Sequence, residues 1–191
     1  MHVNPEKLRQ TLQEVIDAVS EQYDTIILGY GLCPQVMIGI RANGCTLVVP
    51  RVDDCISIFL GSRSAYLNRA HTEPGTYYLT KSWIEVGDTP FSEYERILKR
   101  FGKERAERIY HLMLANYKRM ALINTGQYEL EHYREYAHHM AERFNLRYKE
   151  IEGSDILVQK MLTGPWDEEF VVVQPGETIL YEHFYCCNNT G

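Results

Sequence analysis

Apolar residues follow two rhythms along this chain, one with helical spacing and one made of short unbroken runs. In NPEKLRQTLQEVIDAVSEQ (4–22), Leu8, Leu12, Val15, Ile16 and Val19 recur at helical intervals, which marks one face of an amphipathic helix. Asn4 stands at its cap and Pro5 at its first position, where a missing N–H costs nothing. TIIL (25–28) is a continuous, mostly β-branched run, the pattern of a strand buried on both faces. CTLVV (45–49), TYYLT (76–80), MALIN (120–124), LRYKEI (146–151) and FVVVQ (170–174) read as five more strands. Between them the spacing predicts a short helical segment through QVMIGIRA and a helix through CISIFLGSRSAYLNRA interrupted at Gly61. Further helices are predicted over 92–119, broken near Gly102, and over 128–144 and 154–163. The tail ILYEHFYCCNNTG has no assignable partner.

Strands alternating with helices imply an α/β fold, with a mainly parallel sheet or two such sheets flanked by helices. The chain also resembles itself weakly. TIILGYG (25–31) matches MALINTG (120–126), DDCISIFLG (53–61) matches SDILVQKMLTG (154–164), and PGTYYLT matches EEFVVVQ. The expectation is a single compact unit over 1–191. Within it, two three-stranded βαβ halves, 23–90 and 117–179, would be joined by helices 92–118 and followed by a tail 180–191. Two such halves would face each other across a cleft, a common place for a ligand.

At 191 residues, with 45% hydrophobic and 12% aromatic content, the chain has ample material for a packed interior. A net charge of −6 argues against a nucleic-acid footprint, which shows as a basic face. No apolar stretch approaches the ~20 residues that cross a bilayer, and the N-terminus lacks a secretion pattern. Five cysteines, at 33, 45, 55, 186 and 187, are an odd number, which fits reduced thiols in a cytoplasmic protein better than a disulfide framework.

Parallel strands send their following loops to one edge, and ligands bind there. Those loops are GYGLCP (29–34), RVDDC (51–55), KSWIE (81–85), TGQYE (125–129), EGSD (152–155) and PGETI (175–179). Cys33 and Cys55 each follow a strand and open a helix, so adjacent strands would bring the two thiols to one edge. A helix N-terminus favours the thiolate, and soft thiolates favour zinc or an iron–sulfur cluster. Cys33 and Cys55 are therefore the candidate metal ligands. Two thiolates are too few for a closed site, so an open site, a further ligand from the tail (Cys186 or Cys187) or a bridging dimer would be required. The plain alternative is a small buried hydrophobe at each helix start. Cys45, at the other end of its strand, reads as structural.

Gly29, Tyr30 and Gly31 are candidate cofactor contacts, the glycines either letting backbone approach a ligand or simply making a turn. Neither phosphate-loop pattern fits, because Pro34 stands where a dinucleotide fingerprint needs its third glycine. Arg51, Asp54 and Arg63 complete the candidate set. Asp53 or Asp54 reads as a helix cap with Arg51 as ion-pair partner, and Arg63 as an anion ligand. No Ser-His-Asp or Cys-His spacing supports a hydrolase. Trp83 and Trp166 read as core.

LGYGLC, LVVPRVDDCISIFLGSR, PGTYYLTKSWIE, ALINTGQY and GPWDEEFVVVQPGETI together resemble the family catalogued as domain of unknown function 1638, over roughly residues 23–179. Cys33 and Cys55 match its G-Y-G-L-C and D-C-I motifs. The chain departs from the family pattern at CPQV, where a Gly-rich continuation is usual, and at Lys81-Ser82, where a glycine is usual. Members occur in methanogens and other anaerobes, often beside genes for corrinoid-dependent methyltransferases. The resemblance thus implies a role in anaerobic one-carbon, corrinoid-linked methyl metabolism, with a corrinoid-related species as a further cofactor candidate.

Three functions are expected in competition. The first is a metal- or cofactor-binding protein built on Cys33 and Cys55. The second is a metal-free, cysteine-dependent enzyme acting on a small molecule. The third is a non-catalytic accessory protein whose partner is a corrinoid protein or methyltransferase. A homo-oligomer is compatible with each, and neither nucleic acid nor membrane is an expected partner.

Overall fold

The computed structural model describes residues 4–32, 35–86 and 90–185, and of residues 90–93 the backbone alone. The chain divides into unit 1, Met1–Tyr66 with Asp155–Gly191, and unit 2, Leu67–Ser154.

TLVVP is apolar on both faces of its pleat, and it forms β2 (Thr46–Pro50), the middle strand of the sheet in unit 1. β1 (Thr25–Ile27) lies parallel to it, Ile26 opposite Leu47, and β6 (Phe170–Val173) lies antiparallel, Val171 opposite Val49. Side chains alternate as the pleat requires. Leu47, Val49, Val171 and Val173 share a core with Ile16, Leu8 and Leu12 of α1 (Pro5–Val19). Val48 and Phe170 take the other face, against Ile58 of α2 (Cys55–Phe59) and Leu157 and Met161 of α8 (Ile156–Thr163). Each such side chain contributes about 1.5–3 kcal/mol when fully buried. Asn4 caps α1 as expected, its Oδ1 accepting the Lys7 N–H at 3.0 Å. Val15, placed on the apolar face by its spacing, is instead 56% exposed.

QVMIGIRA is not helical. Gln35 and Gly39 take φ of 64° and 90°, left-handed values that interrupt a right-handed helix. The segment forms turns and an extended stretch in which Val36, Met37, Ile40 and Ala42 are buried. Its backbone partner is the end of PGETI, up to Ile179, the residue that opens ILYEHFYCCNNTG. Gly39 N–H donates to the Ile179 carbonyl (2.9 Å), Ile179 N–H to Ile40 (2.8 Å), and Ala42 N–H to Glu177 (2.9 Å). Residues 177–179 thus strap this loop, and α9 (Glu182–Tyr185) follows with Phe184 in the α1-side core.

In unit 2, RMALIN forms β4 (Arg119–Asn124), the centre of an all-parallel sheet ordered β3-β4-β5 with β3 (Thr76–Leu79) and β5 (Arg147–Glu152). Leu79, Met120 and Leu122 pack against Ala137, Met140 and Ala141 of α7 (Glu131–Arg143). The predicted break at Gly102 separates α5 (Pro90–Phe101) from α6 (Lys103–Leu114), and the two pack as a hairpin around Tyr94 and Tyr110. The division between units falls within α3 (Arg63–Thr72), which the break at Gly61 separates from α2 as the spacing predicted. KSWIE is part of a further helix, α4 (Lys81–Val86).

The strands therefore group differently from the halves 23–90 and 117–179, since β3 joins β4 and β5 while β6 joins β1 and β2. TIILGYG and MALINTG do not occupy equivalent places, because β1 is an edge strand and β4 a central one. α2 and α8, matched by sequence, pack together on one face of a single sheet. No helix among the described residues is long and apolar enough to cross a membrane.

Glu73 ties the starts of two strands in unit 2, accepting from Arg119 NH1 and from Lys149 Nζ, each at 2.8 Å. The Lys149 hydrogen bond, with the charges of Arg119 and Arg69 adding, holds its carboxyl below the usual range. A carboxyl lowered in the folded state stabilises folding above its unfolded value, and that contribution disappears as pH falls through the folded value. Urea unfolding of wild type and Glu73→Gln should therefore differ at pH 7 and converge as the pH falls below the folded value. A gap that stays constant across that range would remove Glu73 from the acid response.

Candidate functional site

β1 and β2 are parallel neighbours, so the loops after them emerge at the same edge of the sheet in unit 1. Those loops touch. The Leu32 N–H donates to the Val52 carbonyl at 2.9 Å, and Gly31 lies directly on the Asp54 backbone. A Cβ at residue 31 would stand 2.9 Å from both Asp54 Cα and Asp54 C. Tyr30 packs against the α1-side core, and Gly29 approaches only the Met161 methyl, at 3.8 Å from a built Cβ. Of the two glycines in GYG, Gly31 alone is required by a close approach. Gly31→Ala should cost about 1–3 kcal/mol, because a rigid backbone cannot yield to the added methyl. Gly29→Ala should stay within about 1 kcal/mol. Thermal unfolding of the two variants side by side decides it, and equal shifts would show that the contact does not constrain the loop.

Cys55 opens α2 and is partly buried. Asp54 caps that helix, its Oδ1 accepting the N–H groups of Ile56 (2.9 Å) and Ser57 (3.3 Å). Burial pushes the Asp54 carboxyl up, against the pull of those bonds and of one with Tyr66. Asp53 is engaged too. It receives Arg63 Nε at 2.9 Å and Arg63 NH2 at 3.2 Å, and the Tyr185 hydroxyl reaches its Oδ1 at 3.4 Å. The Arg63 guanidinium stands 5.8 Å from the centre of the Tyr185 ring. A hydrogen bond with Tyr181 is the largest cause pushing the Tyr185 phenol up to about 12, so it stays protonated and able to donate at neutral pH.

Arg51 does not pair with Asp53 or Asp54. Its NH2 donates to the Phe170 carbonyl at 3.2 Å, its Nε is buried without a hydrogen-bond partner among the described residues, and its backbone N–H donates to the Glu169 carbonyl at 2.7 Å. The cause is the antiparallel β6, whose first residues lie beside the last residues of β2. The same reversal sends PGETI to the far end of the sheet, away from GYGLCP and RVDDC. Ser57 Oγ, wholly buried in α2, is a second polar atom here without a partner.

The structure thus brings Gly31 against the backbone of Asp54, the residue before Cys55, and joins Arg63 to Asp53. Gly29, Tyr30 and Arg51 face other neighbours. Cys33, Cys186 and Cys187 lie outside the described residues. Cys45 is a buried free thiol in the α1-side core, its pKa raised by burial and then by Asp17. Tyr66, Tyr181 and Tyr185 are the contributors that spacing did not single out. The i, i+4 tyrosines of YEHFY were the available signal for the last two.

With both carboxylates committed, Cys55 is the soft donor that the described residues offer at this edge. Among the described residues, no group of three or more His, Cys, Asp or Glu is arranged to hold a metal ion. A thiolate metal centre here would draw its other ligands from Cys33, from the tail cysteines or from the cofactor itself.

No curated protein and no solved structure matches this chain. A family model described as "Protein of unknown function (DUF1638)" matches residues 1–162. That match takes in α1, which the quoted motifs did not include, and ends before the β6 segment, which they did. It covers well over half of the 191 residues, and the chain belongs to the DUF1638 family.

Proposed function

We propose that the β1/β2 edge of unit 1 is a thiolate site that binds a soft metal or a metal-bearing cofactor through Cys33 and Cys55, in anaerobic one-carbon metabolism linked to corrinoid methyl transfer. The observation that supports this reading is the contact between the two loops that carry these cysteines, with Gly31 lying against Asp54. A glycine held without steric slack, two neighbouring carboxylates already neutralised or capping, and buried Arg51 Nε and Ser57 Oγ atoms without partners suit a site whose reactive groups are its sulfurs. Zinc, an iron–sulfur cluster or a corrinoid-related species all fit soft donors. Gly31 would contribute loop shape and Asp54 the placement of Cys55. Cys186 or Cys187 would complete the ligand set.

Metal analysis and absorption spectra of anaerobically purified protein test this, wild type beside Cys33→Ala and Cys55→Ala. Retention of about one equivalent of metal or chromophore by wild type, lost in both variants, is the expected result. Less than about a tenth of an equivalent in wild type overturns it. In that event alkylation rates separate the two remaining readings. A thiol that reacts quickly at neutral pH in the folded protein supports metal-free cysteine chemistry. Thiols that react only after unfolding leave the accessory role, which a pull-down of a corrinoid protein or methyltransferase from an anaerobic host would support.

A further inference from the structure

Unit 2 holds a cavity of about 250 Å³ where the α5–α6 hairpin meets the end of α7. Tyr94, Tyr110, Tyr117 and Phe144 supply aromatic walls, and Arg143 also lines it. The aromatic set is ordered. Tyr94 meets Tyr110 edge-on at 5.0 Å and Phe144 at 6.0 Å, while Tyr110 and Phe144 stack at 4.9 Å. Such contacts fix ring positions before any ligand arrives.

Two polar groups are left over in this arrangement. Tyr94 is 2% exposed, yet its buried hydroxyl has no hydrogen-bond partner. A buried hydroxyl without a partner costs folding free energy, and being closed to solvent it does not open onto the cavity. The Arg143 guanidinium lies 4.8 Å from the centre of the Tyr94 ring, and it forms no ion pair among the described residues. Glu107, which also lines the cavity, is paired with Lys103 at 4.0 Å rather than with Arg143.

We infer that this cavity is a binding site for a small aromatic or heteroaromatic carboxylate. The guanidinium offers a planar fork that matches a carboxylate in two hydrogen bonds. The ring of the ligand joins the existing aromatic walls of Tyr94, Tyr110, Tyr117 and Phe144. Drug-sized ligands occupy about 300–1,000 Å³, so this smaller space suits one ring, or a fused pair, with its acid group. The site is separate from the thiolate edge and does not depend on it.

Benzoate and indole-3-carboxylate, with benzamide and cyclohexanecarboxylate as comparators, test the inference on the full chain by ligand-observed NMR and thermal shift. The aromatic acids should saturate below about 1 mM, with the amide and the alicyclic acid at least about tenfold weaker. Arg143→Gln should weaken the acids about tenfold and leave the amide unchanged. Tyr94→Phe should leave acid binding unchanged, while the ligand-free protein melts at the same temperature or higher, because the variant removes an unpaired buried hydroxyl. No saturation by either acid up to about 10 mM overturns the site. So does equal binding of acid and amide, or acid binding unaffected by Arg143→Gln, a substitution at an exposed side chain that reads out even if the tyrosine variant folds poorly.

Discussion

Gly75→Ala should unfold unit 2 more readily by about 2–5 kcal/mol, from two penalties that act on the same methyl group. Gly75 holds φ at +74°, and a Cβ built there stands 2.6 Å from the Asn116 carbonyl oxygen. The left-handed conformation alone costs an L-residue about 1–2 kcal/mol. The clash adds an overpacking term, because the opposing atom is backbone and not the end of a flexible side chain. Moving away is no remedy, since the Gly75 carbonyl accepts the Lys118 N–H (2.8 Å) and the Arg119 N–H (3.3 Å) and so aligns β3 with β4. Gly126→Ala is the control. It shares the positive φ, +73°, with nothing within 4 Å of the added carbon, and should show the conformational cost alone. Hydrogen exchange of the β3 and β4 amides, read beside urea unfolding, locates the effect. Equal losses from the two substitutions would mean that the Asn116 contact relaxes freely.

Phe184→Ala should cost about 3–5 kcal/mol in unit 1, the range for truncating a buried aromatic side chain. Phe184 is 3% exposed and shares a core with Ile179, Ile40 and Ile16. The strap before it is held by backbone bonds to residues 39–42, so the vacated space cannot close without breaking them. Ile179→Val, which removes one methyl group from a fully buried side chain, should cost about 0.5–1.5 kcal/mol. Denaturation curves for both variants check the ratio. A change below about 1 kcal/mol for Phe184→Ala would show that α9 is an ornament on a core complete without it.

Much of this fold is legible from spacing alone. β2 and β4 declare themselves because a strand covered on both faces must be apolar at consecutive positions, and TLVVP and MALIN are. The Gly102 break and the Asn4 cap are equally local. What spacing cannot supply is direction and partner. FVVVQ reads the same whether its strand runs parallel or antiparallel, so the reversal of β6 was hidden, and with it the displacement of PGETI. QVMIGIRA has apolar residues at roughly helical intervals, but they are buried by a distant strap, which only the folded chain reveals. The candidate site divides along the same line. β1 and β2 are adjacent, and the loops after them touch at Leu32–Val52 and at Gly31–Asp54. Charge proximity in sequence paired Arg51 with the aspartates, whereas the start of β6 draws Arg51 to the Phe170 carbonyl and leaves Asp53 to Arg63.

The route of the chain through its two units carries a consequence for synthesis. Unit 1 is begun first and finished last, because β6 and the strap follow the whole of unit 2. Its central strand, β2, therefore leaves the ribosome with one edge unpaired, and VVP on that edge is an apolar template for wrong partners until Val171 and Val173 arrive. Unit 2 is continuous, and its strand pairs close over shorter stretches of chain than the β2–β6 pair does, which favours earlier assembly. Crowded or slowed translation should accordingly harm unit 1 first, and with it the edge that carries Cys55.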